Sequence, residues 1–220
     1  MKYFPTQKVK NIELRLSALL LKELEFLPKK INAKQIKGLL PHIMEFALKA
    51  HELYSQYTTE VLKQSKSPVH CKSKCSNCCC HYPMSIEPFE LISLYAFLRE
   101  SKNFSQIMEA LWQRAITFSK QQDLKKYFSL SLPCPLLAPS GDCGIYEHRP
   151  FSCRMYFSIT KPEFCVPLYL QSPKNKNFIV YLPDNLENLL ADISERYSEL
   201  ELPEALYGGL LEMNGLERYF

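Results

Sequence analysis

The stretch Cys71-Lys-Ser-Lys-Cys75-Ser-Asn-Cys78-Cys79-Cys80 puts five cysteines into ten residues. Four more follow at Cys134, Cys143, Cys153 and Cys165, and none lies before residue 71 or after residue 165. A single buried cysteine packs as a small apolar group, but that is a poor account of five in ten. In a reducing compartment, thiols gathered this way read as metal ligands or catalytic thiols rather than disulfides. If the segment is helical, Cys71, Cys75 and Cys78 share one face, with neighbouring Cβ atoms roughly 5–6 Å apart. One zinc ion needs sulfurs only about 3.8 Å apart, so a helix favours the wider ligand sites of an iron–sulfur cluster. If it is a loop, Cys75 and Cys78 can wrap a single ion as a zinc knuckle does. Consecutive helical residues point about 100° apart, so Cys78, Cys79 and Cys80 cannot all face one centre. Cys80 is the expected free thiol. The alternative is two centres, for which eight cysteines suffice.

The second group lies in a different kind of sequence. Residues 131–175 hold seven prolines, two glycines and four cysteines. An irregular stretch this long needs something to fold around, and a metal would supply it. Cys134, Cys143 and Cys153 are 9 and 10 residues apart, too far for one chelating turn, so they must return from separate loops. Thiolates on a metal need nearby positive charge and N–H donors. Arg149 and Arg154 flank Cys153 and are the candidate cofactor-side charges; the competing reading pairs each with Glu147 or another carboxylate. His81, beside the first cluster, is a candidate mixed ligand, and His70 and His148 are weaker ones.

Outward from the cysteines the chain reads as helix. Asn11 to Phe26 repeats apolar residues at Ile12, Leu16, Leu19, Leu20 and Leu24, one helical face, before Pro28. A longer helix is expected from about His42 to Lys63, opened by Pro41, with the stripe Ile43, Phe46, Ala50, Leu53, Tyr54, Tyr57 and Val61. That stripe serves either the chain's own core or self-association. Two further helices are expected, one from Glu87-Pro88 and one from Ser105, as N-cap, to Phe128. In the latter Ile107, Leu111, Ala115 and Phe118 point inward, and Trp112 is read as core. Met155–Thr160 and Phe178–Leu182 are short β-like runs. Asp184 with Glu187 forms a capping box for a helix carrying Leu186, Leu189, Leu190, Ile193 and Tyr197. A last helix follows Pro203.

The predicted fold class is therefore mainly α: helices flanking an irregular, Pro-rich, cysteine-ligated metal core with at most a few short strands. Residues 1–66 form an N-terminal helical segment and 67–165 the cysteine-cluster region. Residues 166–220 supply a short strand and acidic helices, the whole making one compact domain.

Composition narrows the functional classes. Among 220 residues 46% are apolar and 23% charged, ordinary for a globular chain. No apolar run is long enough to span a membrane, and the start MKYFPTQKVKNIELR lacks a signal-peptide core, so no membrane insertion and a cytoplasmic location are expected. The net charge of +4 hides an acidic end: residues 184–220 carry 2 basic against 9 acidic side chains. Basic residues form no stripe with interleaved aromatics, and no nucleic acid is expected as partner. No Walker loop, GxGxxG, HExxH or readable nucleophile–base arrangement occurs, so no catalytic residue is assigned.

At these residues the chain resembles the YkgJ-type cysteine-cluster family, described as a zinc- or iron-chelating domain. The motifs are Cys71-Lys-Ser-Lys-Cys75-Ser-Asn-Cys78-Cys79, Pro133-Cys134-Pro135-Leu136-Leu137, and the run GxCxIYExRPxxCR from Gly141 to Arg154. They cover about residues 69–157. The resemblance implies metal ligation by Cys71, Cys75, Cys78, Cys79, Cys134, Cys143 and Cys153, with Cys165 completing the set; Cys80 matches no pattern cysteine. The expected cofactor is an iron–sulfur cluster, [4Fe-4S] in form, or zinc, with a redox role in the first case and an unidentified protein partner or substrate in either.

Two other functions compete. The spacing Cys71-x3-Cys75-x2-Cys78 is that of radical S-adenosylmethionine enzymes, and a larger relative, the flagellin lysine N-methylase, combines a similar cysteine region with methyl transfer. Against the first, Asn77 replaces the usual aromatic and no strand–helix alternation follows. The other alternative is a zinc-structured helical interaction module, with partners or a second copy held by the helices at 11–26 and 42–63.

Overall fold

The computed structural model describes residues 5–65, 68–71, 74–81, 86–121, 124–159, 161, 177–200 and 202. The chain is mainly helical, as its periodicity requires. Helix α1 (Gln7–Phe26) starts one turn before the apolar stripe because the Thr6 side chain caps it, accepting from the Val9 N–H. Its inward face is Val9, Ile12, Leu16 and Leu20.

Helix α2 (Ala33–Leu62) begins nine residues ahead of the expected start. Asn32 and Gln35 form a reciprocal capping box that nucleates it there. Pro41 is consequently inside the helix, where it removes one backbone donor. It is tolerated because it is exposed, as is Lys37 one turn earlier, whose carbonyl loses that partner to water. The stripe Ile43, Phe46, Ala50, Leu53, Tyr54 and Tyr57 is buried within the chain's own core.

Helices α1, α2 and α8 (Asp184–Glu195) and α4 (Pro88–Arg99) enclose that core. Helix α4 is buried almost all round, and Glu87 with Glu90 caps its start. Helix α5 (Phe104–Ser119) is followed by the separate α6 (Leu124–Ser129), so the single helix expected from Ser105 to Phe128 is two. Asn103, not Ser105, occupies the cap position, and it makes no side-chain cap bond. Trp112 is 42% exposed, against the sequence expectation. The buried face of α5 is Leu111, Arg114 and Ala115, and Trp112 is rotated about 100° away from Leu111.

The two β-like runs pair with each other. Strand β1 (Tyr156–Ser158) lies antiparallel to β2 (Asn177–Ile179), in the register Tyr156–Ile179, Phe157–Phe178 and Ser158–Asn177. Helix α8 is capped by Pro183, which puts Asp184 at its first position rather than at the cap. Asp184 and Glu187 then sit in the first turn, where the helix dipole favours negative charge. The helix expected after Pro203 lies outside the described residues. No described helix is long and apolar enough to cross a membrane.

Candidate metal centre

The first cysteine group is a loop followed by one helical turn, not a continuous helix. Residues 74–76 are irregular and Lys74 has φ of 65°, a left-handed conformation that breaks any helix from Cys71. Helix α3 (Asn77–His81) then carries Cys78, Cys79 and Cys80. Both ends of the loop are pinned. The Ser158 N–H donates to Cys71 Sγ at 3.3 Å, and the His70 N–H donates to the Ser158 carbonyl at 2.9 Å. At the other end the Lys74 N–H donates to Asp142 Oδ1 at 3.0 Å.

A small hairpin brings in the second group. The Gly144 N–H donates to the Leu136 carbonyl and the Ala138 N–H to the Asp142 carbonyl, at 2.8 and 2.9 Å, and Leu137 bridges Cys143. The turn between them uses Gly141 at φ 85°. At Gly144 a Cβ would lie 2.9 Å from the Leu136 carbonyl oxygen, so the strands approach this closely only with glycine there. Cys134 and Cys143 thus become neighbours despite their sequence separation. Each thiol receives the backbone N–H two residues on, from Leu136 and Ile145 respectively, the donor pattern that stabilises ligating thiolates.

Cys153 is delivered by α7 (Phe151–Arg154), a single turn wedged into the helical core. Its first residue, Phe151, is buried and packs edge-on against His51, Tyr54 and Phe89. The Phe151 N–H donates to Glu90 Oε1 at 2.8 Å, and the same oxygen lies 2.7 Å from His51 Nε2. A buried carboxylate on α4 and a histidine on α2 therefore fix the turn that carries Cys153.

The thiols line a cavity of two adjoining lobes, of about 180 and about 540 Å³. Cys71, Cys75 and Cys78, with Tyr146, Arg149 and Phe157, line both. Cys153 faces the smaller lobe, Cys79 and Cys143 the larger. Cys134 lies behind, within electrostatic reach of Cys78, Cys79, Cys143 and Cys153. Seven of the eight sequence candidates are thereby brought together; Cys165 lies outside the described residues. Cys80 lines neither lobe. Among the described residues no three His, Cys, Asp or Glu side chains converge closely enough to hold one metal ion between them.

Burial pushes the thiols of Cys71, Cys134, Cys143 and Cys153 above the usual range, and their mutual proximity adds to it. Cys78 moves the other way, because the Cys79 thiol hydrogen-bonds to it and Arg149 is near; Cys79, as that donor, is raised. This is the environment of a group that releases protons when a cation enters.

The two candidate arginines have different jobs. Burial works to lower the Arg149 pKa, yet the net shift is upward because Cys153, Cys143, Cys78 and Cys79 surround it. Its guanidinium also donates to the Cys153 carbonyl and sits over the Tyr146 ring. Among the described residues neither arginine forms an ion pair with Glu147 or any other carboxylate. Arg154 is a buried clamp. It donates to the carbonyls of Arg149, Tyr146 and Glu147 at 2.6, 2.8 and 2.8 Å, and to Ser55 Oγ at 2.7 Å.

Sequence reasoning missed several contributors. Arg114, 6% exposed on α5, donates to the Tyr127 hydroxyl and to the Cys79 carbonyl, and its charge favours the Cys134 thiolate. Its place on the Leu111–Ala115 face was the available signal. Asp142, Glu90 and His51 carried none, since their partners are 39 to 68 residues away.

Residues 70–172, a little under half the chain, match the family model described as "CxxCxxCC: Putative zinc- or iron-chelating domain". No curated protein and no solved structure matches the chain.

Proposed function

We propose that this CxxCxxCC domain of residues 70–172 holds a polynuclear metal centre through Cys71, Cys75, Cys78, Cys79, Cys134, Cys143 and Cys153, and that the centre is an iron–sulfur cluster with a redox role. The observation that carries this reading is one cavity lined by six thiols and Arg149, with the Cys134 thiol close behind it. Seven thiols exceed the four that one zinc takes and equally the four that one iron–sulfur cluster takes, so the number does not choose between them. The cluster is preferred because, among the described residues, no three of these side chains meet at one ion, whereas each ligand of a [4Fe-4S] cluster binds a different iron. Backbone N–H groups and arginines offset the negative charge that such a centre carries.

In this arrangement Arg149 compensates charge inside the cavity and Arg114 does so from behind Cys134. Arg154 orders the turn that presents Arg149. Cys71, the one exposed cysteine among those described, marks the side on which the centre meets solvent. An electron-transfer partner would approach there.

Anaerobic purification with metal and acid-labile sulfide analysis and a visible spectrum tests the proposal. Iron with sulfide and broad absorption near about 400 nm supports it. A colourless protein with stoichiometric zinc overturns the iron–sulfur assignment and leaves a zinc scaffold. A folded protein that takes up neither metal overturns metal binding itself. The radical S-adenosylmethionine reading gains no support from the fold: among the described residues the strands are β1 and β2, one antiparallel pair.

A further inference from the structure

A second cavity, of about 580 Å³, opens on the side of α7 away from the thiols. Its volume is in the range of small-molecule sites, roughly 300–1,000 Å³. Helices α2, α4, α7 and α8 and the segment after β2 build it. Most of the wall is aromatic and aliphatic, from Tyr54, Phe151, Tyr181 and Leu190 among others; two serines and four glutamates supply the rest. Glu87, Glu90, Glu187 and Glu195 all face it, and among the described residues no Lys, Arg or His does.

The carboxylates are not equivalent. Glu90 is used up structurally, since its two oxygens meet His51 Nε2, the Phe151 N–H and the Glu87 N–H. Glu87 accepts from the Ser194 hydroxyl, and burial raises its pKa. Glu187 and Glu195 sit on α8 two turns apart, on the same face as Leu190, Ala191 and Ser194, and both are exposed at the rim. Helix α8 thereby presents two carboxylates whose side chains make no described hydrogen bond or ion pair.

A cavity of this composition selects cations. A single metal ion is not held here, because among the described residues no three of its carboxylates converge on one point. Carboxylates spread over aromatic walls match an organic ammonium, whose charge is met by the rim and whose alkyl stem lies on the rings. We infer that this cavity is a binding site for an alkylammonium group, a primary amine on an apolar stem. The site does not depend on which metal the thiols hold. It does share a wall with that centre: Phe151 and Ser152 face the amine cavity while Cys153 and Arg154 face the thiols.

Calorimetric titration of the full metal-loaded chain with n-pentylamine, and with 1-pentanol as its neutral counterpart, tests the inference. The amine should bind and the alcohol should not. The Glu187→Gln, Glu195→Gln double variant should keep its metal content and helical signal and lose amine affinity by about tenfold or more, two exposed charge contacts being removed. Ala191→Phe, which narrows the mouth without altering charge, should weaken it as well. Absence of amine binding to the unmodified chain, equal binding of the alcohol, or full affinity in the charge variant overturns the site. Metal content, read on the same samples, reports separately on the thiol centre.

Discussion

Replacing Arg154 with alanine isolates what orders the centre from what ligates it. The guanidinium donates to the carbonyls of Arg149, Tyr146 and Glu147 and to Ser55 Oγ, at 2.6 to 2.8 Å, and the residue is 9% exposed. Hydrogen bonds from a charged donor contribute about 1.5–3 kcal/mol each. Tyr146 and Glu147 are exposed residues, so water can reach part of what alanine abandons. The net loss is then about 3–5 kcal/mol, a large part of a typical stability of about 5–15 kcal/mol. Urea unfolding of the metal-free chain should show the midpoint falling at unchanged slope. Metal affinity should fall with it, because the carbonyls that Arg154 gathers hold Arg149 among the thiols. Arg154→Lys keeps the charge but cannot span four acceptors with one ammonium, and should recover less than half of the loss. A destabilisation below about 1 kcal/mol with full metal occupancy would refute the clamp.

Gly144→Ala should cost about 1–3 kcal/mol and reduce metal content, since the new Cβ meets the Leu136 carbonyl at 2.9 Å and pushes Cys134 from Cys143; full occupancy in the purified variant would contradict this. Glu90→Ala removes the acceptor shared by His51 and the Phe151 N–H and should destabilise by about 3–5 kcal/mol in denaturant unfolding, the range for a broken buried pair. The metal-free chain should lose stability as pH rises. Burial raises four thiols, those of Cys71, Cys134, Cys143 and Cys153. Folding therefore favours their neutral form, a contribution intact below the unfolded thiol pKa of about 8.5 and lost above it. Cys79, the donor to Cys78, is raised as well, and Cys78 alone opposes them with a lowered pKa, one group against five. The urea midpoint should fall between about pH 8 and about pH 10, and a rise would show the sign to be wrong. Metal affinity should rise over the same interval, because the entering cation displaces protons from those thiols.

The apolar periodicities of α1, α2, α4 and α8 were legible in the sequence because they are local: each face repeats within the helix that uses it. So was the cysteine constellation, which composition alone separates from the rest of the chain. Trp112 and the start of α2 were misread for an equally local reason. One residue rotates a side chain out of a buried face, and a reciprocal cap at Asn32 and Gln35 outweighs a proline that happens to face water.

What only the tertiary structure decided is how the cysteines meet. Spacing alone left the first group open between helix and loop, and the left-handed Lys74, held by Asp142 from the hairpin, makes it a loop. Arg149 and Arg154 look interchangeable around Cys153, and both line the smaller lobe, yet Arg149 is surrounded by thiols while Arg154 spends its donors on backbone carbonyls and Ser55. Arg114, Glu90 and His51 act through partners distant in the chain, and no local pattern encodes a contact of that kind. The sequence by itself determined which side chains are donors, because donor chemistry belongs to each residue. The tertiary structure decided their convergence and their charge, because both depend on loops closing against a helical core and on what that closure buries.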